Sequence, residues 1–411
     1  MVDDIGKYLT NFVSDLAKPP TKTLVEEVQV DGEKVRRYVN EFWTPKQRKA
    51  SSVHEVSYRA CFKPQLPGFF LNLLSKPKDV VYDPFCGRGT TVIEAALKGR
   101  NIISNDINPL SAVFTRARLG IPDLGEIKTR LERIGLEKGK KAELDLSMFY
   151  HPDTESELVS LRDYLMERRN EGQEDELDRW VRMVATSRLT GHSTGFFSVY
   201  SLPPNQAVSQ RSQKKINKRL KQKPDYRDIK TRILKKSKSL LRNLTEEQRE
   251  NLRTTASTAV FLQEDSRRTR EIGTGTVNLT ITSPPFLDIV QYSTDNWLRC
   301  WFNGLDIKEI EKRLTVLRDL DQWSVFIGDT LNELYRITKK NGWVAFEVGE
   351  VRKGKVELDR RIVPLGAKAG FRCKGIMINE QDFTKTSNIW GIDNMAGGTN
   401  TNRIVIFQKE A

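Results

Sequence analysis

One unit constrains this chain more than any other: DVVYDPFCGRGTTVIEAALKGRNIISNDINP, residues 79–109. The apolar run from Val80 to Tyr82 reads as a buried strand that ends in a glycine-rich turn. TVIEAALKG follows with helical character, and Gly99 is placed to end that helix. RNIISNDINP is a second strand, ending at Asp106. Strand, glycine turn, helix, strand is a βαβ unit, and such units build doubly wound α/β sheets. Glycines in the first turn let backbone N–H groups approach a ligand at the positive end of a helix. Asp106 lies 19 positions beyond Gly87, where a carboxylate can accept both hydroxyls of a ribose.

The ligand follows from what the turn lacks. A dinucleotide fingerprint needs a third glycine, but Gly87-Arg88-Gly89 is followed by Thr90, Thr91 and Val92. Asp83 precedes the turn, and its charge is awkward beside a pyrophosphate. An acid there suits the ammonium group of a methionine moiety. S-adenosylmethionine is the expected cofactor.

The α/β pattern breaks off and then resumes. From about Leu110 to Thr255 the chain reads as helical and charged, as in ESELVSLRDYLMERR and DELDRWVRMVATSRL. Strand-like runs return with TAVFLQED, TVNLTITSPPF, GWVAFEVGE, KGIMINEQ and NRIVIFQKE. The expected organisation is one doubly wound domain over residues 46–112 and 256–411, with a helical, basic region inserted at 113–255. Residues 1–45 form an N-terminal extension. Ile5, Tyr8, Leu9, Phe12 and Leu16 fit one face of a helix there, and Asp31-Gly32 between valine-rich runs predicts a hairpin.

A second motif closes the strand TVNLTIT: Ser283-Pro284-Pro285-Phe286. The exocyclic amine of a nucleobase is a poor nucleophile, because its lone pair is delocalised into the ring. Methylating it requires acceptors that hold both N–H bonds while the nitrogen becomes tetrahedral. Ser283 offers a hydroxyl oxygen and Pro284 a main-chain carbonyl. Two prolines restrict φ and remove donors, so the carbonyls are aimed rigidly. Phe286 offers a ring on which an extruded base stacks.

Charge points to the partner. The formal net charge is +14, and residues 207–243 carry 14 basic side chains against Asp225 and Asp228. A run of that density suits the phosphates of a nucleic acid. There is no run of 18 apolar residues and no hydrophobic leader at Met1, so neither a membrane span nor a signal peptide is expected. Cys61, Cys86, Cys300 and Cys373 are far apart and fit no metal or disulfide framework. A reducing cytoplasm is the expected compartment. His54, His151 and His192 are scattered, and the chemistry does not demand a histidine base.

With these motifs in this order, the chain resembles the DNA amino-methyltransferases. It is most similar to the cytosine-N4 branch, whose signature is Ser-Pro-Pro-Tyr/Phe. Further segments share the likeness, among them VSYRACFKPQLPGFF, RLTGHSTGFFSVYSLPPNQAVS, AFEVGEVRKGK and GTNTNRIVIF. The resemblance implies a Rossmann-like, class I S-adenosylmethionine-dependent sheet. It implies that Phe85, Cys86, Gly87 and Gly89 hold the methionine part of the cofactor, with Asp83, Thr90 and Ile107 beside them. Asp106 would take the ribose, Asp265 would sit near the adenine, and Phe62 and Pro64 would close over the methionine end. Ser283, Pro284, Pro285 and Phe286 would hold the target base. Duplex DNA is the implied partner, and a cognate restriction endonuclease is a further one. Adenine-N6 methylation, an RNA substrate and a catalytically dead binding protein are the alternatives. Target sequence and oligomeric state are not readable.

Overall fold

The computed structural model describes residues 2, 4–16, 19–44, 50–58, 61–202, 207–285, 292–314, 319–348, 350–351, 356–380 and 401–410. Among these residues nine strands form one large sheet. They are β1 (Leu24–Val30), β2 (Glu33–Asn40), β3 (Val80–Asp83), β4 (Asn101–Asn105), β5 (Val260–Leu262), β6 (Val277–Thr282), β7 (Thr338–Val348), β8 (Arg372–Glu380) and β9 (Thr401–Gln408). Their order is β1-β2-β8-β9-β7-β6-β3-β4-β5. Strands β3 to β7 are mutually parallel, while β9 runs antiparallel between β7 and β8.

The helices are α1 (Ile5–Asn11), α2 (Gln65–Leu74), α3 (Thr90–Leu97), α4 (Leu110–Ala117), α5 (Leu124–Arg133), α6 (Pro152–Asn170) and α7 (Glu176–Thr186). They continue with α8 (Gln210–Leu220), α9 (Ile229–Leu241), α10 (Glu246–Ala256), α11 (Tyr292–Phe302), α12 (Ile307–Arg313), α13 (Leu320–Ile337) and α14 (Leu358–Ala369). From β3 the chain moves through α3 to β4 and later to β5. From β6, on the other side of β3, it moves through α13 to β7. The winding direction therefore reverses between β3 and β6. This is the doubly wound, Rossmann-like sheet expected from the sequence, and its ligand crevice lies at the carboxyl ends of those two strands.

Period-2 alternation builds both faces. Val344, Phe346 and Val348 of β7 join the core under α13 and α14, while Trp343 and Ala345 join the core under α2 and α3. Strand β9 divides the same way, with Val405 and Phe407 on one side and Ile404 and Ile406 on the other. Strands buried on both faces read as continuous apolar runs, which is why they were legible. Each such side chain contributes about 1.5–3 kcal/mol through burial.

The N-terminal hairpin forms with Asp31 at φ 50° and Gly32 at φ 82°, the two positive values of a tight primed turn. Its β2 pairs parallel with β8, so the hairpin widens the sheet. The predicted N-terminal helix is shorter than its apolar pattern. It ends at Asn11, because Phe12 turns extended and its carbonyl accepts from Thr23 N–H. Val13 and Ser14 then pair with Thr21 and Lys22, and Leu16 is left exposed.

The insertion is helical, as expected. Its helices start on side-chain caps: Asp123 with Glu126, Asp175 with Asp178, and Thr245 with Gln248 form capping boxes. Trp180 of α7 is fully buried and donates its Nε1–H to Ser237 of α9 at 2.9 Å. Helix α8 buries Gln213 alone and presents its basic residues to solvent. No helix among the described residues is long and apolar enough to cross a membrane.

Candidate active site

The glycine turn is built as its sequence requires. Gly87 has φ 52° and Gly89 φ 81°, conformations that a side chain resists. A Cβ at Gly89 would fall 2.1 Å from Cγ2 of Thr115, so the turn packs directly on α4. Cys86 N–H donates to the Asn105 carbonyl at 3.0 Å, which ties the turn to β4. Between the glycines, buried Arg88 donates to the Val56 carbonyl at 3.0 Å and to the Phe62 carbonyl at 3.5 Å. The segment before α2 is thereby held over the turn.

Asp106 stands at the end of β4. Its Oδ2 accepts the Gly87 N–H at 2.7 Å and its Oδ1 accepts the Asn108 N–H at 2.9 Å. Burial pushes its carboxyl up to about 6, against the pull of those two donors. Asp83, at the end of β3, accepts from Thr282 Oγ1 at 2.6 Å and from Phe85 N–H at 3.1 Å. Burial pushes Asp83 up to about 7, and the charge of Asp106 adds to the rise.

Ser283, Pro284 and Pro285 leave β6 into the same cleft. The Ser283 hydroxyl lies beside the carboxyl of Glu347, a buried acid near the end of the adjacent β7, and opposes the effect of burial on it. Glu347 also accepts from Asn402 Nδ2 of β9 at 3.1 Å, and burial pushes it up to about 7. The indole Nε1–H of Trp323, buried on α13, donates to the Pro285 carbonyl at 3.1 Å.

Of the residues singled out in the sequence, Phe62, Asp83, Phe85, Cys86, Gly87, Thr90, Asp106, Ile107, Asp265, Ser283, Pro284 and Pro285 line one cleft. Gly89 supports it from behind. Pro64 does not line it; it caps α2 and faces a separate hollow with Trp43, Gln65 and Phe69. Asp265 is turned partly outward and paired with Arg267 at 2.6 Å. Its neighbour Glu264 also lines the cleft, and its Oε2 is buried without a protein hydrogen bond. Phe286 lies outside the described residues, as do Pro203 and Pro204 of the segment RLTGHSTGFFSVYSLPPNQAVS.

The histidines stay out of the cleft lining. His54 is buried against Glu94 at 2.9 Å and its pKa is lowered by burial; His151 caps α6; His192 lies beside Phe196. Burial raises the Cys86 thiol well above its ordinary range, as suits a packing residue. Among the described residues, no group of three metal-ligating side chains comes together.

Sequence reading missed Glu347 and Trp323. An acid inside the apolar run GWVAFEV was a signal for the first. Trp323 carried none, because only the fold brings α13 over the prolines.

The lining carries four carboxyl groups, Asp83, Asp106, Glu264 and Asp265, against the guanidinium of Arg313. Such a cleft favours a cationic ligand and disfavours a pyrophosphate. The arrangement fits S-adenosylmethionine, whose sulfonium and ammonium are both positive. Each oxygen of Asp106 keeps a lone pair for a ribose hydroxyl after accepting its backbone donor.

Residues 6–112, which include the glycine turn and Asp106, match the family model N6_N4_Mtase, described as DNA methylase. Over this segment the chain is similar to the DNA methylases that the family model describes. The chain is 30% identical over 123 residues to the type II methyltransferase M.MjaII of Methanocaldococcus jannaschii, covering 30% of this chain and 22% of that protein. It is 38% identical over 64 residues to the type II methyltransferase M.MvaI of Kocuria varians, covering 15% of this chain and 14% of that protein. The chain thus spans less than a quarter of these curated relatives. Among solved structures, TrmN from Thermus thermophilus aligns at a TM-score of 0.34 and 12% identity, over 88% of this chain and 53% of that one. At that score the fold rests on strand order, not on superposition.

Proposed function

We propose that this chain is a DNA methyltransferase that acts on the exocyclic N4 of cytosine in duplex DNA, with S-adenosylmethionine as donor. The observation that carries the reading is the hydrogen bond from Thr282 to Asp83 at 2.6 Å. It joins the strand bearing the Ser-Pro-Pro turn to the strand bearing the glycine turn, so amine acceptors and cofactor loop share one cleft.

When bound, S-adenosylmethionine supplies a methyl group already activated on its sulfonium. The chain supplies position. Ser283 Oγ accepts one N–H of the extruded cytosine amine and the Pro284 carbonyl accepts the other. Ionised Glu347 accepts the Ser283 hydroxyl proton, which turns the serine lone pairs toward the amine. The proton lost from the amine has a route through Ser283 to Glu347. Phe286 stacks on the base. Asp83 faces the ammonium, Asp106 the ribose, and Glu264 with Asp265 the adenine side. Residues 46–112 and 256–411 act as the catalytic domain and 113–255 as the recognition region.

The basic stretch divides on inspection. Arg227 is buried and holds the Phe196 and Ser198 carbonyls; Lys230 and Arg232 also bond main-chain carbonyls. The DNA-tracking role belongs to exposed residues such as Arg211, Lys215, Lys218, Arg219, Lys235 and Lys238.

The test is transfer of labelled methyl from S-adenosylmethionine to duplex DNA by wild type and by Ser283→Ala. Loss of one preorganised group predicts a fall of about 100-fold with cofactor affinity kept. Undiminished transfer by the variant would overturn the assignment of Ser283.

A further inference from the structure

Beyond the cleft, positive charge collects where the insertion meets the catalytic sheet. Glu55 is its centre. Lys236 of α9 lies 3.8 Å from it, Arg242 donates to it at 2.9 Å, and Ser239 lies beside it. Arg188, just past α7, stacks on Phe196 with Cζ 4.0 Å from the ring centroid. Arg299 of α11 lies over Tyr58 at 5.4 Å and donates to the Ser57 carbonyl at 3.1 Å. Tyr58 itself lines the cofactor cleft.

The charges do not balance. Among the described residues three cations, Arg188, Lys236 and Arg242, face one carboxylate, Glu55. Lys236 and Arg188 are largely withdrawn from water. Burial first, and the charge of Arg188 second, push Lys236 down to about 8. Burial, then the charge of Arg299, push Arg188 down to about 10. Desolvated like charges oppose folding unless an anion joins them. Backbone order places this surplus near the cleft: Glu55 precedes Tyr58, which lines it, by three residues.

We infer that Arg188, Lys236 and Arg242, grouped around Glu55 three residues before the cleft-lining Tyr58, form a binding site for a backbone phosphate of the DNA strand that carries the target base. The inference rests on the DNA reading above. It differs from general tracking by exposed lysines, because Arg188 lies outside the 207–243 stretch and the site is built from three separate segments. Arg188 and Arg242 supply forked donors, and Lys236 a point charge. A phosphate held there, near Tyr58, fixes the backbone while the target nucleotide turns into the cleft.

The experiment is duplex binding by anisotropy across a series of salt concentrations, with wild type, Lys236→Met, Arg188→Met and Lys236→Arg. Methionine keeps an apolar stem and removes the charge. Each methionine variant is expected to bind DNA about five- to tenfold more weakly near physiological salt. Each should lower the slope of log K against log salt by about one. S-adenosylmethionine affinity should hold, the melting temperature should hold or rise, and Lys236→Arg should keep the wild-type slope. A slope unchanged in both methionine variants, in a protein that binds DNA, would overturn this site and leave the proposed function standing. A lower melting temperature with an unchanged slope would show a structural cluster and also overturn it. Absence of DNA binding by wild type would sink the DNA reading and this site together. The two methionine substitutions lie on different elements, so a folding defect in one leaves the other decisive.

Discussion

Trp323 donates its indole N–H to the carbonyl of Pro285 across 3.1 Å, from a helix 38 residues further along the chain. Both prolines of the turn present carbonyls, but this bond engages the second. In the proposed mechanism the Pro284 carbonyl is then the main-chain acceptor left for the amine, and Trp323 is a positioning residue apart from the reacting atoms.

Trp323→Phe keeps a ring and removes the N–H. The Pro285 carbonyl loses its donor, at a cost of about 1 kcal/mol. kcat should fall about tenfold, with S-adenosylmethionine affinity nearly unchanged. Single-turnover rates with saturating cofactor and DNA check it; an unaltered rate would remove Trp323 from the argument.

Glu347 gives the chemistry a pH dependence. Its carboxyl, pushed up to about 7 by burial, must be ionised to accept the Ser283 proton. Activity should therefore rise with pH through about 7 and level off above it. Glu347→Gln cannot take a proton, so its kcat should be about 10- to 100-fold lower and flat with pH. The profile is to be measured at saturating cofactor, which confines the Asp83 titration to KM.

Asp83 acts on cofactor affinity. Its folded value, about 7, is raised above the ordinary 3.8. A raised carboxyl stabilises the folded state in its protonated form. That contribution is full below about pH 4 and is lost as pH rises through about 7. The cofactor's ammonium demands the ionised form, so affinity should increase about fivefold between pH 6 and 7 as the ionised fraction grows. Asp83→Asn should flatten that rise and bind more weakly throughout. Calorimetric titration at a series of pH values measures both; a rise that persists in the variant would assign it elsewhere.

The legible parts of this molecule are those made by neighbours in sequence. The βαβ unit, the primed turn at Asp31-Gly32 and the two-faced strands follow from local spacing. Asp106 was legible because the unit fixes its distance from the glycine turn. Glu347 and Trp323 were not, because they meet the Ser-Pro-Pro turn only after β7 pairs with β6 and α13 folds back. Tertiary contacts also overrode pattern at the N-terminus, where pairing of Val13 and Ser14 with Lys22 and Thr21 leaves the helix ending before Leu16. In the basic stretch, sequence counts charge but cannot distinguish Arg227, spent on loop carbonyls, from Lys218 in solvent.

The most direct test of the central claim is the identity of the methylated base. DNA incubated with the protein and isotopically labelled S-adenosylmethionine would be digested to nucleosides and read by mass spectrometry. Label is expected in N4-methylcytosine, and is expected to be lost with Ser283→Ala. Label in N6-methyladenine would contradict the reading of Ser283 while keeping cofactor and cleft, and DNA left without label would contradict the proposed activity.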